Sequence, residues 1–262
     1  MRDPDLDRAI DAAGGVAQLA RKIGIAQPSV SNWNRVPAGR VIAVEAATGV
    51  PRQQLRPDLY SELAVPDNPD NDVDPVDAAR AREYALLAAL LSCPPSNALL
   101  GEIAHLRGDA SPLGHAHAAL AEAASEVAIA GVEREYFDLF IGLGRGELLP
   151  YASYYLTGFL NERPLSRLRD DLAVLGVERV ENNFEPEDHA ATLCEIMAGF
   201  AAGRFPASAE RQRAFFEKHV ASWVGRMFAD MERATHAKFY KSVGTLGRVF
   251  MEIEAEAFTF AN

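Results

Sequence analysis

The stretch Glu185-Pro186-Glu187-Asp188-His189 puts three carboxylates and an imidazole within five residues, with Glu181 just upstream. Three chemistries fit such a set. A carboxylate and an imidazole can move protons. A histidine with acidic neighbours can ligate a divalent metal. Clustered carboxylates can also form the lip of a binding site for a basic ligand. A fourth reading needs no ligand. Pro186 suits a first helical position, and Glu187 and Asp188 would complement the positive end of the helix that follows. That helix is expected over 186–203. Ala190, Leu193, Met197, Phe200 and Ala201 would form its buried stripe, and Asp188, Thr192, Glu195 and Gly199 another face.

Catalysis and metal binding find little support elsewhere in the chain. The spacing of His115 and His117 sends their rings to different sides of a helix. Cys93 and Cys194 are too few for a zinc cluster or a disulfide framework. The glycine-rich Gly142–Gly146 lacks the strand before it and the Lys-Ser/Thr after it that a phosphate loop needs. No catalytic or metal-ligating residue is therefore assigned, no cofactor is called for, and the protein is not expected to be an enzyme. A metal hydrolase centred on Glu185, Asp188 and His189 is the weakest alternative. A second polar-aromatic run holds Pro150, Tyr151, Ser153, Tyr154, Tyr155 and Phe159. Its tyrosines cover two sides of a helix, which fits a peptide groove as well as core packing.

The elements that must position these residues are nearly all helical. Helices are expected at 75–92, 96–107, 115–130, 132–141, 150–161, 164–175, 186–203, 208–231 and 234–259, with Gly or Pro in the breaks. No alternating strand pattern is evident, so the fold class is all-α. No apolar run approaches the roughly 18 residues of a membrane span. The N-terminus is too acidic for a secretory signal, so the chain is expected in the cytoplasm, with no membrane insertion.

The net charge of −11 is uneven. Residues 1–65 hold eight Lys/Arg and seven Asp/Glu, and the remainder carries 18 basic against 30 acidic residues. Between Val65 and Asp77 lie three prolines and five aspartates, expected to form a solvated linker. The domains are thus read as 1–64, a 65–77 linker and 78–262. An acidic body should repel nucleic acid and attract basic ligands.

In the head, Leu6, Ile10 and Ala13 mark a first helix, Val16–Lys22 a second, and a third begins near Gln27. The short turn at Gly24 joins the last two as a helix-turn-helix. Ala20 is small at the crossing, and Ile25, Val30 and Trp33 face inward. Gln27, Ser29, Ser31, Asn32 and Arg35 then face outward and could contact DNA bases or phosphates. Arg21, Lys22 and Arg40 could add backbone contacts.

The head resembles the Cro/YdaS-type helix-turn-helix domains. The residues that carry this are Gly14-Gly15, Ala20, Gly24, SVSNW, VPAGRVIAVEAATG and LRPDLY. The resemblance implies a compact five-helix fold that binds double-stranded DNA. The body, through EYFDLFIGLGRGELLPYASYYLTGFLNERPLSRLRDDLAVLGVER, EPEDHAATLCEIM and FFEKHVASWVGRMFADME, resembles the TorD/DmsD family of redox-enzyme maturation chaperones. That likeness implies an all-helical bundle without catalysis. It implies binding of the twin-arginine signal peptide and apo-form of a molybdoenzyme catalytic subunit, of formate dehydrogenase or dimethyl-sulfoxide-reductase type. The signal-peptide residues would be Glu185, Pro186, Asp188, His189, Pro150, Ser153, Tyr154 and Tyr155. Glu185, Asp188 and His189 are expected on the lip of the groove, where changing Asp188 and His189 to Ala should weaken leader binding and leave helical content intact. A transcription regulator whose body senses a ligand or client peptide is the alternative, and a head-mediated homodimer stays open.

Overall fold

The computed structural model describes residues 3–24, 27–31, 33, 35–37, 40–55, 74–175, 185–204 and 207–260. They are helical, with no β-strand among them beyond one isolated bridge. No described helix is long and apolar enough to cross a membrane. The chain divides into two compact units, Met1–Asp72 and Val73–Asn262.

The head holds α1 (Pro4–Ala13), α2 (Val16–Lys22), α3 (Gln27–Ser31), α4 (Val41–Thr48) and α5 (Arg52–Leu55). Its core gathers Leu6, Ile10, Leu19, Ala20, Val30, Val41, Val44 and Leu55, with Trp33 packed against it. Ala20 and Val30 are buried as expected, whereas Ile25 lies outside the described residues. Gly24 has φ of +70°, a backbone that favours glycine, and so turns the chain between α2 and α3.

The body holds α6 (Pro75–Ser92), α7 (Asn97–Ile103), α8 (Pro112–Glu126), α9 (Ile129–Tyr136), α10 (Ala152–Thr157), α11 (Arg163–Val174), α12 (Ala190–Ala201), α13 (Ala209–His219), α14 (Val224–Arg233) and α15 (Phe239–Phe260). Helix α6 packs mainly on α12, and α15 packs on α14 and α8. Asp74 caps α6 by accepting from the Val76 N–H at 2.7 Å, with Pro75 in the first turn. Thus Pro75, Val76 and Asp77, which also fell inside the expected linker, belong to the bundle. The rest of that linker lies outside the described residues apart from Asp74. Ser111-Pro112 is the same start signal, and α8 accordingly begins before the expected residue 115.

Two expected helices differ in ways that matter. The segment 208–231 is two helices, because the chain turns at 220–223. Fully buried Trp223 sits at that turn and donates its indole N–H to the His219 carbonyl at 2.8 Å, satisfying a helix-end acceptor. The expected helix 132–141 changes pitch: Phe137–Ile141 is a π-helical turn that closes at Gly142.

Two carboxylates tie α15 into place. Buried Glu135 on α9 accepts from the N–H groups of Lys238, Phe239 and Tyr240 at 2.7, 3.2 and 2.7 Å. Glu254, 1% exposed, is gripped by Arg80 through two bonds of 2.7 and 2.8 Å and receives the Tyr84 hydroxyl. Such buried charge is tolerated because every partner is in place.

Candidate functional site

The two polar runs singled out in the sequence meet at one place. Tyr151 and His189 form an antiparallel bridge. The Ala152 N–H donates to the Asp188 carbonyl at 3.0 Å, and the Ala190 N–H to the Pro150 carbonyl at 2.8 Å. Asp188 is fully buried, and its Oδ2 accepts from the Ser153 N–H at 2.7 Å. It therefore caps α10, a helix that begins thirty-odd residues earlier. His189 caps its own helix: Nδ1 accepts from the Ala191 N–H at 3.1 Å, which leaves the ring proton on Nε2. Glu187 takes Arg169 of α11 at 2.8 and 3.0 Å. Glu185 accepts from the Tyr151 hydroxyl, and the Tyr151 ring stands edge-on to His189 at 5.0 Å.

The helix expected from residue 186 thus starts at Ala190, with Pro186 in the turn before it. Asp188 and Gly199, expected on a face other than the buried stripe, are buried as well. The reason is tertiary. Asp188 is drawn beneath the start of α10, where its Oδ2 accepts the Ser153 N–H.

A cavity of about 280 Å³ opens beside this bridge. Pro150, Tyr151, Glu185 and His189 line it from the two motifs. Tyr136, Phe140 and Ile141 supply an aromatic and apolar wall from the end of α9 and the π-helical turn, and Ser92 lies at the end of α6. Ala191, Thr192 and Glu195 complete it from α12. Tyr154 and Tyr155 do not face this space. They line a second cleft of about 310 Å³ with Leu148, Leu149, Asp230 and Arg233. There Tyr155 donates to Asp230 at 3.1 Å, and the Arg145 guanidinium lies 5.6 Å from the Tyr154 ring centre. Ser153, Pro186 and Asp188 line neither cavity. Ser153 Oγ and Asp188 Oδ1 are buried without a hydrogen-bond partner. Sequence reasoning left out Tyr136, Phe140, Ile141, Tyr151, Thr192 and Glu195 as site residues. Tyr151 stood in the aromatic run, and Thr192 and Glu195 on the face of the expected helix away from its buried stripe. Nothing in the sequence marked the π-helical turn.

In the head, Gln27 and Ser31 of α3 are exposed. Asn32 and the side chain of Ser29 lie outside the described residues. Arg35 is held by Asp3 at 3.1 Å. Charge is divided along the head: α1 and its cap carry Asp3, Asp5, Asp7 and Asp11, whereas Val16 to Leu55 holds five Lys/Arg and one acidic residue.

Comparison with known proteins fits these two units. Residues 106–229 match the family model described as nitrate reductase delta subunit, and residues 6–64 match bacterial toxin YdaS. The chain joins a YdaS-like head to a TorD-like body. The chaperone protein TorD of Vibrio cholerae is 31% identical over 99 residues, which cover 34% of this chain and 45% of that protein. The chain therefore spans about half the length of the first relatives it matches. TorD of Shewanella loihica is 24% identical over 208 residues, 72% of this chain and 97% of that protein. A solved structure from Archaeoglobus fulgidus, described provisionally as a redox enzyme maturation protein, has a TM-score of 0.45 and 22% identity over 65% of this chain and 93% of its own.

The cavity of the TorD-like body has a defined electrostatic character. Burial holds the His189 imidazolium below its ordinary pKa of 6.5, against the opposing pull of Glu185 and Asp188. Burial raises the Glu195 carboxyl, and burial together with Glu185 raises the Tyr151 hydroxyl. A neutral imidazole, two carboxyl groups and an aromatic wall suit a cation carried on an apolar stem. Among the described residues no group of three or more His, Cys, Asp or Glu is placed to hold a metal ion.

Proposed function

We propose that the protein is a cytoplasmic maturation chaperone, without catalysis, whose TorD-like body holds the twin-arginine leader of a molybdoenzyme catalytic subunit until its cofactor is inserted. The observation that carries this reading is the cavity beside the Tyr151–His189 bridge. It sets Glu185 and Glu195 against Tyr136, Phe140 and Tyr151. An arginine side chain offers both a forked cation and a planar face, which match carboxylates and aromatic rings in one pocket. The relatives of the body are named chaperone proteins, which supports the same reading. The client would be of formate dehydrogenase or dimethyl-sulfoxide-reductase type.

Direct titration with leader peptides tests it. The leader should bind, its Arg-Arg→Lys-Lys form should bind about tenfold more weakly, and Glu185→Gln with Glu195→Gln should narrow that gap. A leader that binds equally well with lysines would count against the pocket.

A second reading concerns the head. We infer that it binds double-stranded DNA through Gln27, Ser29, Ser31, Asn32 and Arg35, so that the body could report client supply to a promoter. The division of charge favours it, since the residues beyond α1 are basic while α1 is acidic. Titration of genomic fragments at low salt should reveal sequence-selective binding that weakens as salt rises. Salt-independent or absent binding would remove this reading.

A further inference from the structure

The turn between α14 and α15 presents a row of backbone donors, and two carboxylates of one segment receive them. Glu147 accepts from the Thr235 and His236 N–H groups at 2.6 and 3.1 Å and from Nδ1 of the His236 ring at 2.7 Å. Glu135 accepts from Lys238, Phe239 and Tyr240 just beyond. Between Glu135 and Glu147 in the chain lie Tyr136, Phe140 and Ile141, the aromatic and apolar wall of the cavity. Pro150 and Tyr151, which also line it, follow shortly after Glu147.

The chain from Gly142 to Leu149 is a strap laid on this wall. The Gly142 N–H donates to the Phe137 carbonyl at 2.7 Å, and the N–H groups of Glu147 and Leu148 donate to the carbonyls of Asp138 and Leu139 at 3.2 and 2.8 Å. A side chain at Gly146 would meet the Leu139 carbonyl oxygen at 2.6 Å and Phe140 backbone at 2.5 Å. Strap and π-helical turn thus touch backbone to backbone, and a displacement of one is passed to the other.

The two ties differ in burial. Glu135 is 6% exposed and closed off from solvent. The Glu147 side chain is 27% exposed and that of His236 55% exposed, so water can take over their bonds. The second cleft runs beside this outer tie. Glu147, Leu148 and Leu149 line it from the strap, and Asp230, Arg233 and Ala234 from the end of α14 and the turn after it. Glu147 therefore spans a seam with open volume next to it, and the strap has room to shift when the tie is lost.

We propose that Glu147 is a positioning residue for the cavity: by fastening the strap to the α14–α15 turn, it fixes Phe140, Ile141 and Tyr151 at the spacing that flanks a guanidinium. This rests on the reading of the cavity as a cation pocket. Glu147 does not line that cavity and acts through the strap. Its effect falls on discrimination, because a planar guanidinium stacks on an aromatic ring only at close spacing, whereas an ammonium is a point charge that demands less of the wall.

The test titrates the full chain with two synthetic peptides that differ only in an arginine pair or a lysine pair. Glu147→Ala should melt close to the wild type, because the donors it frees are reached by water. It should lower affinity for the arginine peptide by about fivefold and leave the lysine peptide nearly unchanged, so that a roughly tenfold preference falls to about twofold. Glu147→Gln keeps one acceptor oxygen and should fall between. Hydrogen exchange reads the positioning without a ligand. The amides of Ala152 and Ala190, which bond the Asp188 and Pro150 carbonyls, should exchange faster in Glu147→Ala, and those in the middle of α12 at wild-type rates. An unchanged preference for arginine overturns the proposal, as does an equal loss for both peptides, which a loss of folded protein alone would give. Unchanged exchange at Ala152 and Ala190 overturns it as well. A wild type that binds both peptides equally, or neither, removes the cation-pocket reading and the role of Glu147 with it.

Discussion

The Ser153 N–H donates to Asp188 Oδ2 at 2.7 Å, so a carboxylate of one motif caps a helix that begins in the other. Both residues are fully buried. Asp188→Ala should therefore leave a buried donor unpaired at the start of α10 and cost on the order of 1–3 kcal/mol of stability. Asp188→Asn keeps an acceptor and should cost less. Urea unfolding of the two variants measures the difference. The expectation that helical content survives when Asp188 and His189 are both changed to Ala thus has a stability cost attached to Asp188. A loss of leader binding in Asp188→Ala would report a misplaced Tyr151 and Pro150 and not a lost contact.

Local signals explain what was legible in the sequence. The helix start at Asp74-Pro75 and the turn at Gly24 rest on neighbouring residues alone, and so does the start at Ser111-Pro112, which the expected start at 115 passed over. The carboxylates and histidine near the cavity were also visible, because residue type and spacing carried them. What stayed hidden depends on distant partners. Asp188 reads as a solvated charge until Ser153 is beside it. The π-helical turn at Phe137–Ile141 has no signature of its own, yet it brings Phe140 and Ile141 to the cavity. The break at 220–223 is covered by Trp223 reaching back to His219, which periodicity cannot foresee.

His189 should make stability fall in acid. Its folded pKa lies below 6.5 because burial penalises the charged ring, and its Nδ1 must stay unprotonated to accept from Ala191. The stabilising contribution is therefore complete above the unfolded pKa of about 6.5 and is lost as pH falls through the lower folded value. His219, also lowered by burial, acts in the same direction, and His117, raised by Glu83, acts in the opposite one. The difference between wild type and His189→Asn isolates the effect, since Asn can still cap α12. Denaturation from neutral pH down to acid should show the variant losing less stability. Parallel curves would place no titration at His189.

Glu135 holds the N-terminus of α15 through three backbone N–H groups. Glu135→Ala would strip three donors at once and should destabilise the body by on the order of 3 kcal/mol, with Glu135→Gln intermediate. The consequence should reach the cavity. Tyr240 at this helix start bonds the Leu90 carbonyl, two residues before Ser92 of the cavity wall. Hydrogen exchange should rise in both places, at 238–243 and at 88–92. Exchange that rises only at α15 would separate the two.

For the head, the two kinds of contact predict different failures. Gln27 is exposed on α3, where a side chain can read a base edge, whereas exposed Arg40 precedes α4, outside the reading helix, and is assigned a phosphate contact. Gln27→Ala should lower affinity for the preferred DNA site by about tenfold and leave non-specific binding unchanged. Arg40→Ala should weaken all sequences alike and reduce the slope of log affinity against log salt by about one. Asp3→Asn adds a third arm. It keeps the oxygen that accepts from the Asp5 N–H and removes the charge that holds Arg35. Removal of this negative charge beside Arg35 should strengthen DNA binding by a few-fold, in line with the roughly 0.2–1 kcal/mol of an exposed charge pair. Fluorescence anisotropy across a salt series separates the three variants, and identical salt slopes in all of them would argue against α3 as the DNA-reading helix.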